Sequence, residues 1–71
     1  MHLDVVITRE GRLYSAWCPQ LDIASSGKTI EEAKENLKEA IELYLEDEDA
    51  KVPQDGVSSI TLTSIEVKQH G

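Results

Sequence analysis

One amphipathic helix is the feature of this sequence that most limits its fold. Thr29 is a good N-cap, and Glu32, three residues later, completes a capping box. Apolar residues then recur with helical spacing and share one stripe about 140° wide, namely Ile30, Ala33, Leu37, Ala40, Ile41, Tyr44 and Leu45. We therefore predict a helix that begins after Thr29 and ends in the acidic run at residues 46–49.

Shorter segments have the alternation and β-branched content of strands. The predicted strands are residues 2–9, 12–18, 21–26 and 57–67. Glu10 and Gly11 form a hairpin turn signal, Pro19 interrupts the ladder because it has no N–H to donate, and residues 51–56 read as a loop. In the last strand the apolar residues change parity, and a bulge near residues 63–64 would restore a single face.

The order of these elements is βββαβ, which restricts the topology. Short connections make the first three strands antiparallel neighbours, and a right-handed crossover through the helix places the fourth strand beside the first and parallel to it. We predict one α+β domain over residues 1–71. It has two layers, a four-stranded mixed sheet of order 3-2-1-4 and one helix on one face.

The charge is concentrated in the helix. The chain carries a net charge of −7, and residues 29–49, with nine acids and two lysines, account for all of it. A nucleic-acid binder needs clustered lysine and arginine to displace counterions from phosphate. We therefore predict no direct DNA binding and favour a basic protein partner, although a charge run can also be a solvated helix face.

A single helix can cover only one face of a sheet. We place Ala16 and Cys18 beneath the helix, where small side chains allow close approach, and this leaves Trp17 on the other face. An outward tryptophan indicates an interface, whereas the alternative is that Trp17 is the core aromatic of a small domain. Leu43 lies on the polar side of the helix, as an interface contact or as an ordinary surface leucine.

These features define the predicted partner-binding residues. Leu13, Trp17 and Leu43 are expected to make apolar contacts, and Glu39, Glu42 and Glu46 are expected to steer a basic partner. The unpaired edges of the sheet and the exposed apolar side chains also predict self-association, as a homodimer or a higher oligomer.

Residues that could support catalysis are sparse. His2 and His70 lie at opposite ends of the chain without metal-ligand spacing. Cys18, the only cysteine, has no base near it in sequence and reads as a buried structural thiol. A carboxylate pair for metal-dependent hydrolysis could in principle draw on Asp4, Asp22 and Glu66. Nothing in their spacing requires one, so we predict no enzymatic activity, no metal site and no cofactor.

The sequence has neither the pattern of a targeting signal nor that of a membrane span. No basic n-region precedes an apolar h-region, and the longest apolar runs span a few residues, far short of a membrane span. We therefore predict a cytoplasmic protein without a membrane segment.

Three stretches of the sequence, taken together, resemble the HicB antitoxin family. The first is an aromatic-x-Ala-x-x-Pro-x-Leu hairpin at residues 14–21, and the second is a Gly-x-Thr-x-x-Glu-Ala helix start at residues 27–33. The third is an Asn-Leu-x-Glu-Ala helix centre at residues 36–40. The resemblance covers roughly residues 3–48. As an ordered set it is specific, whereas each piece alone is weak.

The resemblance implies a fold and a function. Members of the family are similar to a truncated ribonuclease H fold of βββαβ order, and they block a small, basic, RNA-cleaving HicA toxin. The resemblance therefore implies an antitoxin-type protein-binding module with a HicA-like partner. The alternative is an orphan HicB-like structural or regulatory oligomer without a toxin.

The sequence departs from the family pattern at two places. Many members end in a ribbon-helix-helix or helix-turn-helix segment that binds the operator, but here four residues follow Val67. The chain is thus expected to be a short form without that segment. The family's Pro-x-Leu-Pro-Gly turn is also replaced, since Leu21 is followed by Asp22, Ile23 and Ala24.

Overall fold

Three strands precede one helix in the computed structural model, which describes residues 2–47, 49–50 and 56–69. The elements are β1 (Val6–Glu10), β2 (Leu13–Cys18), β3 (Ile23–Gly27) and α1 (Ile30–Glu46). The predicted order of the first four elements and the predicted helix are confirmed. Each strand is shorter or shifted by a few residues, as expected for strand ends assigned from sequence. The predicted loop at residues 51–56 lies outside the described residues, except for Gly56.

The predicted four-stranded mixed sheet is wrong. The described chain forms a three-stranded antiparallel sheet of order β1-β2-β3, and residues 56–69, where the fourth strand was predicted, are not assigned to any strand. The helix packs over β3 and β2. A strand added beyond β1 would therefore lie outside the part of the sheet that the helix covers directly. The change of apolar parity within residues 57–67 also leaves its register weakly specified.

The hairpin between β1 and β2 turns one residue later than predicted. Glu10 pairs with Leu13, so the two central residues of the turn are Gly11 and Arg12. Gly11 has φ 62°, and a positive φ at the first central position alone is typical of a type II′ turn. The sequence pair Glu10-Gly11 therefore identified the glycine but placed it in the wrong position of the turn.

The helix begins as the capping box predicts. Thr29 has extended backbone angles, and its Oγ1 accepts a hydrogen bond of 3.0 Å from the Glu32 N–H. The Glu32 carboxylate reaches back to the Lys28 N–H at 3.3 Å. The first bond satisfies a donor that a helix start otherwise leaves without a partner, and the second goes to the residue before the N-cap instead of to the N-cap itself.

Replacing Thr29 by alanine is expected to lower the free energy of unfolding by about 1 kcal/mol, because the Glu32 N–H loses its acceptor. Urea unfolding followed by circular dichroism at 222 nm measures the change. Thr63→Ala is the matched control, since Thr63 is exposed and lies outside the strands and the helix. An equal shift of both midpoints would show that the cap does not stabilise the fold.

The core lies between the helix and β2. Its buried members are Ala16, Cys18, Ala33, Leu37 and Ile41. The predicted placement of Ala16 and Cys18 beneath the helix is confirmed, as is the buried state of the Cys18 thiol. The buried stripe of the helix is narrower than the sequence pattern, because Ile30, Tyr44 and Leu45 are each more than one-third exposed.

A glycine fixes how closely the helix approaches the end of β3. Gly27 is buried, and a Cβ atom built on it would lie 2.6 Å from the Ala33 backbone nitrogen. The Asn36 side-chain amide donates to the Ser26 carbonyl at 2.9 Å and links the same two elements. Gly27 and Asn36, which belong to the HicB-like motifs, therefore set the position of the helix on the sheet.

Candidate functional site

The face of the sheet opposite the helix carries the first two predicted site residues. Leu13 and Trp17 alternate with the buried Ala16 and Cys18 along β2, so their side chains lie on this open face. Trp17 is 40% exposed. The interpretation of Trp17 as a core aromatic is therefore wrong, and its indole is available at the surface.

A hydrogen bond holds the Trp17 indole at the edge of this face. Its Nε1–H donates to the Asp22 carboxylate at 2.9 Å. Asp22 has φ 53°, in the left-handed region, which aspartate tolerates better than most residues. This aspartate stands where the HicB pattern has a proline, so the departure from the pattern gives the tryptophan a polar partner.

The other four predicted residues lie together on the outer side of the helix. Leu43 is 67% exposed and lines a shallow depression with three carboxylates. We call this group the acidic surface, and it consists of Glu39, Glu42, Leu43 and Glu46. Residues three and four apart on a helix are neighbours, which explains why the sequence could group them.

The predicted site is therefore two surfaces and not one. The open sheet face, with Leu13 and Trp17, and the acidic surface lie on opposite sides of a two-layer domain, because Leu43 points away from the stripe that packs on the sheet. Sequence periodicity placed each residue on the correct side of its own element. It could not show that the two elements turn these sides in opposite directions.

Gln20 is a connecting residue that the sequence did not indicate. Its Oε1 accepts from the Asp4 N–H at 3.1 Å and from the Cys18 Sγ at 3.6 Å, and its Nε2 donates to the Asp4 carboxylate. Gln20 thus ties the segment before β1 to the end of β2. Its place after Pro19 marks an interruption of the ladder but does not indicate the distant partner Asp4.

Two of the three carboxylates considered for metal-dependent hydrolysis have other partners. Asp4 is bound to Gln20 and Asp22 to Trp17. Among the described residues, no group of three or more histidine, cysteine, aspartate or glutamate side chains is placed to hold a metal ion. His70 lies outside the described residues.

An apolar groove separates the helix from the outer edge of the sheet. It has a volume of about 440 Å³ and is lined by Leu3 and Val5, which precede β1, and by Leu37, Ile41 and Leu45 of the helix. Lysine and glutamate side chains of the helix form its rim.

Within the described part of the chain, no helix is both long and apolar enough to cross a bilayer.

The fold and these surfaces define a small α+β module with an uncovered sheet face and an acidic helix. The chain belongs to the UPF0150 family. It is 47% identical over 51 residues to a UPF0150 protein of Helicobacter pylori strain J99, an alignment that covers 70% of this chain and 71% of that protein. No family model matches the sequence. No solved structure matches it.

Proposed function

We propose that this protein is a HicB-like, antitoxin-type module of the cytoplasm that binds and neutralises a small, basic, RNA-cleaving toxin of the HicA type. The observation that carries the proposal is the acidic surface, in which an exposed leucine lies among three carboxylates. Membership of the UPF0150 family and the HicB-like motifs at residues 14–40 support it.

Electrostatics explains how this surface would favour such a partner. The helix and its C-terminal end present exposed carboxylates along their length, with no basic residue in the last turn. Such a field attracts a basic protein over a Debye length of roughly 8–10 Å and raises its association rate. Leu43 then supplies apolar contact within the acidic surface. Removal of water there strengthens the interactions between the surrounding carboxylates and the basic partner.

The open sheet face offers a second contact area. Trp17 and Leu13 are exposed there, and tryptophan is enriched among residues that dominate interface energies. Because this face and the acidic surface lie on opposite sides, one toxin molecule would contact one of them. The other surface remains available for a further copy of either protein.

A two-stage experiment tests the proposal. The tagged chain is used to recover partners from its native lysate, and mass spectrometry identifies what elutes. The recovered partner is then purified and assayed for RNA cleavage with and without the chain. A small basic protein that cleaves RNA alone, and is inhibited by an equimolar amount of the chain, is expected. A partner without such activity would contradict the antitoxin assignment.

The association rate with this partner is expected to fall as salt rises, because the carboxylates of the acidic surface attract it at long range. At low ionic strength, Glu42→Gln combined with Glu46→Gln is expected to slow association by about three- to tenfold. Stopped-flow fluorescence measures the rate.

The control for this prediction is Glu10→Gln combined with Glu35→Gln, which removes the same charge from exposed positions outside the acidic surface. Its effect is expected to be smaller. If both double variants slow association equally, net charge and not this surface directs the encounter. A rate that is independent of salt would remove the steering role altogether.

A second candidate function is that of an orphan HicB-like oligomer with a structural or regulatory role and no toxin. The observation that favours it is the exposed apolar segment at residues 57–67, which offers contacts to other chains. Recovery of only the bait, as a stable oligomer, would favour this function over the first.

A further inference from the structure

An apolar segment follows the domain without joining its sheet. Residues 57–67 are assigned to neither strand nor helix, and all are classed as exposed. Val57 and Ile60 keep 43% and 42% of their surface exposed in the single chain, whereas Leu62, Ile65 and Val67 are 97%, 84% and 71% exposed. The segment is rich in valine, isoleucine and threonine, the residues that favour strands, and Glu66 is its only charged residue.

The apolar residues of this segment occupy both parities of an extended chain. Ile60 and Leu62 share one side, whereas Ile65 and Val67 share the other. A regular strand with this pattern is apolar on both faces, whereas a regular strand with one wet face is apolar on one. Without a bulge, the segment therefore presents apolar side chains to two different surfaces.

The outer edge of β1 has apolar side chains on both of its sides. β1 is an edge strand, since it pairs only with β2 in the described sheet. Alternate residues of an edge strand direct their N–H and C=O groups outward, where a further strand can bind them. The apolar groove under the helix lies on one side of this edge, and Val6 and Trp17 lie on the other.

We infer that residues 57–67 of one copy add as a strand to the β1 edge of a second copy, with Ile60 and Leu62 inserted into the groove lined by Leu3, Val5 and Leu45. Within one chain the segment leaves the sheet three-stranded and the outer edge of β1 unpaired. In the dimer, the segment of the second copy pairs with that edge. Ile65 and Val67 then lie beside Val6 on the open face.

The chemistry of the two surfaces agrees with this occupant. The groove is apolar at its base, and its rim carries Lys34 and Lys38 together with glutamates, so a nearly uncharged segment enters it without charge repulsion. Reciprocal exchange between two copies is isologous and closes on itself as a dimer. It also pairs the outer edge of β1 in both copies.

Isotope-filtered NMR on the purified protein tests the inference without any partner. Carbon-13-labelled and unlabelled chains are mixed, unfolded in urea and refolded together. Methyl contacts between Leu62 of one copy and Val5 or Leu45 of the other are expected. If these contacts form only within a single chain, or if the protein is a monomer by light scattering at millimolar concentration, the inference is overturned.

A matched pair of variants locates the dimer contact. Leu62→Asp is expected to weaken dimerisation at least tenfold, because a charge replaces the side chain that fills the groove. Ser59→Asp adds the same charge to the same segment at a small polar position and is expected to have little effect. Both residues are exposed in the single chain, so both variants keep the fold.

A dimer that tolerates Leu62→Asp would also overturn the inference, because its interface would lie elsewhere. Since no toxin is present, failure here leaves the antitoxin proposal standing.

Discussion

Replacing Leu37 by alanine is expected to unfold most of the protein at 25 °C. Among the described residues, Leu37 is the largest fully buried side chain, and it belongs to the same core cluster as Ala16 and Cys18. Truncating a buried leucine costs about 2–5 kcal/mol, since transfer energy is lost and a cavity remains. A core of this size rarely supplies more than about 3–5 kcal/mol, so the loss is comparable to the whole stability.

Urea unfolding and the dispersion of amide NMR signals measure this effect. Leu43→Ala makes the same chemical change at a position that is 67% exposed, and it is expected to alter the free energy of unfolding by less than about 0.5 kcal/mol. A cooperative unfolding midpoint for Leu37→Ala close to that of Leu43→Ala would show that the helix is not held by this core.

Replacing Gly27 by alanine is expected to destabilise the fold by about 2–3 kcal/mol through a clash with the helix backbone. The added Cβ would lie 2.6 Å from the Ala33 nitrogen and 2.9 Å from the Glu32 carbonyl carbon. Backbone atoms cannot rotate away as the end of a long side chain can, so the helix start must move off β3. This shift would also lengthen the bond between Asn36 and the Ser26 carbonyl.

Gly11→Ala is the control for Gly27→Ala, because its expected loss of stability comes from backbone strain and not from a clash. No atom lies within 4 Å of a Cβ placed at Gly11, but its φ of 62° is costly for an L-residue. The expected loss is about 1–2 kcal/mol. In a chain made by synthesis, D-alanine at position 11 should restore stability.

A second substitution separates the clash at Gly27 from other causes. Ala33→Gly, combined with Gly27→Ala, is expected to give no rescue, because the crowded atom is the Ala33 backbone nitrogen and not its side chain. Full rescue by Ala33→Gly would contradict the proposed contact. All the comparisons come from chemical unfolding of four variants. These are Gly27→Ala, Gly11→Ala, D-alanine at position 11, and Gly27→Ala combined with Ala33→Gly.

Most of the first half of the fold could be predicted from the sequence because local signals there agree with each other. The helix start rests on the hydrogen bond that the Glu32 N–H donates to the Thr29 side chain, and the buried residues of the helix lie within the wider apolar stripe that spacing predicts. The alternation in β2 correctly placed Ala16 and Cys18 inside and Trp17 outside. The hairpin turn was displaced by one residue, because Gly11 alone does not show which central position it occupies.

The candidate site was predictable residue by residue but not as a site. Helical spacing grouped Glu39, Glu42, Leu43 and Glu46 without any structure. The side of β2 that carries Leu13 and Trp17 was also accessible from alternation. The roles of Gln20 and Asp22 were not, because their hydrogen bonds join residues whose approach depends on the loop between β2 and β3.

The order of the first four elements could be read from the sequence, as could the acidity of the helix and the side of each element that is buried. These are consequences of short-range chemistry, namely caps, periodicity and local charge. Tertiary structure alone decided that the two predicted contact surfaces lie on opposite sides of the domain and that residues 57–67 stay outside a three-stranded sheet. Both results depend on how the helix packs across β2 and β3, and a linear pattern does not encode which part of a sheet a helix leaves uncovered.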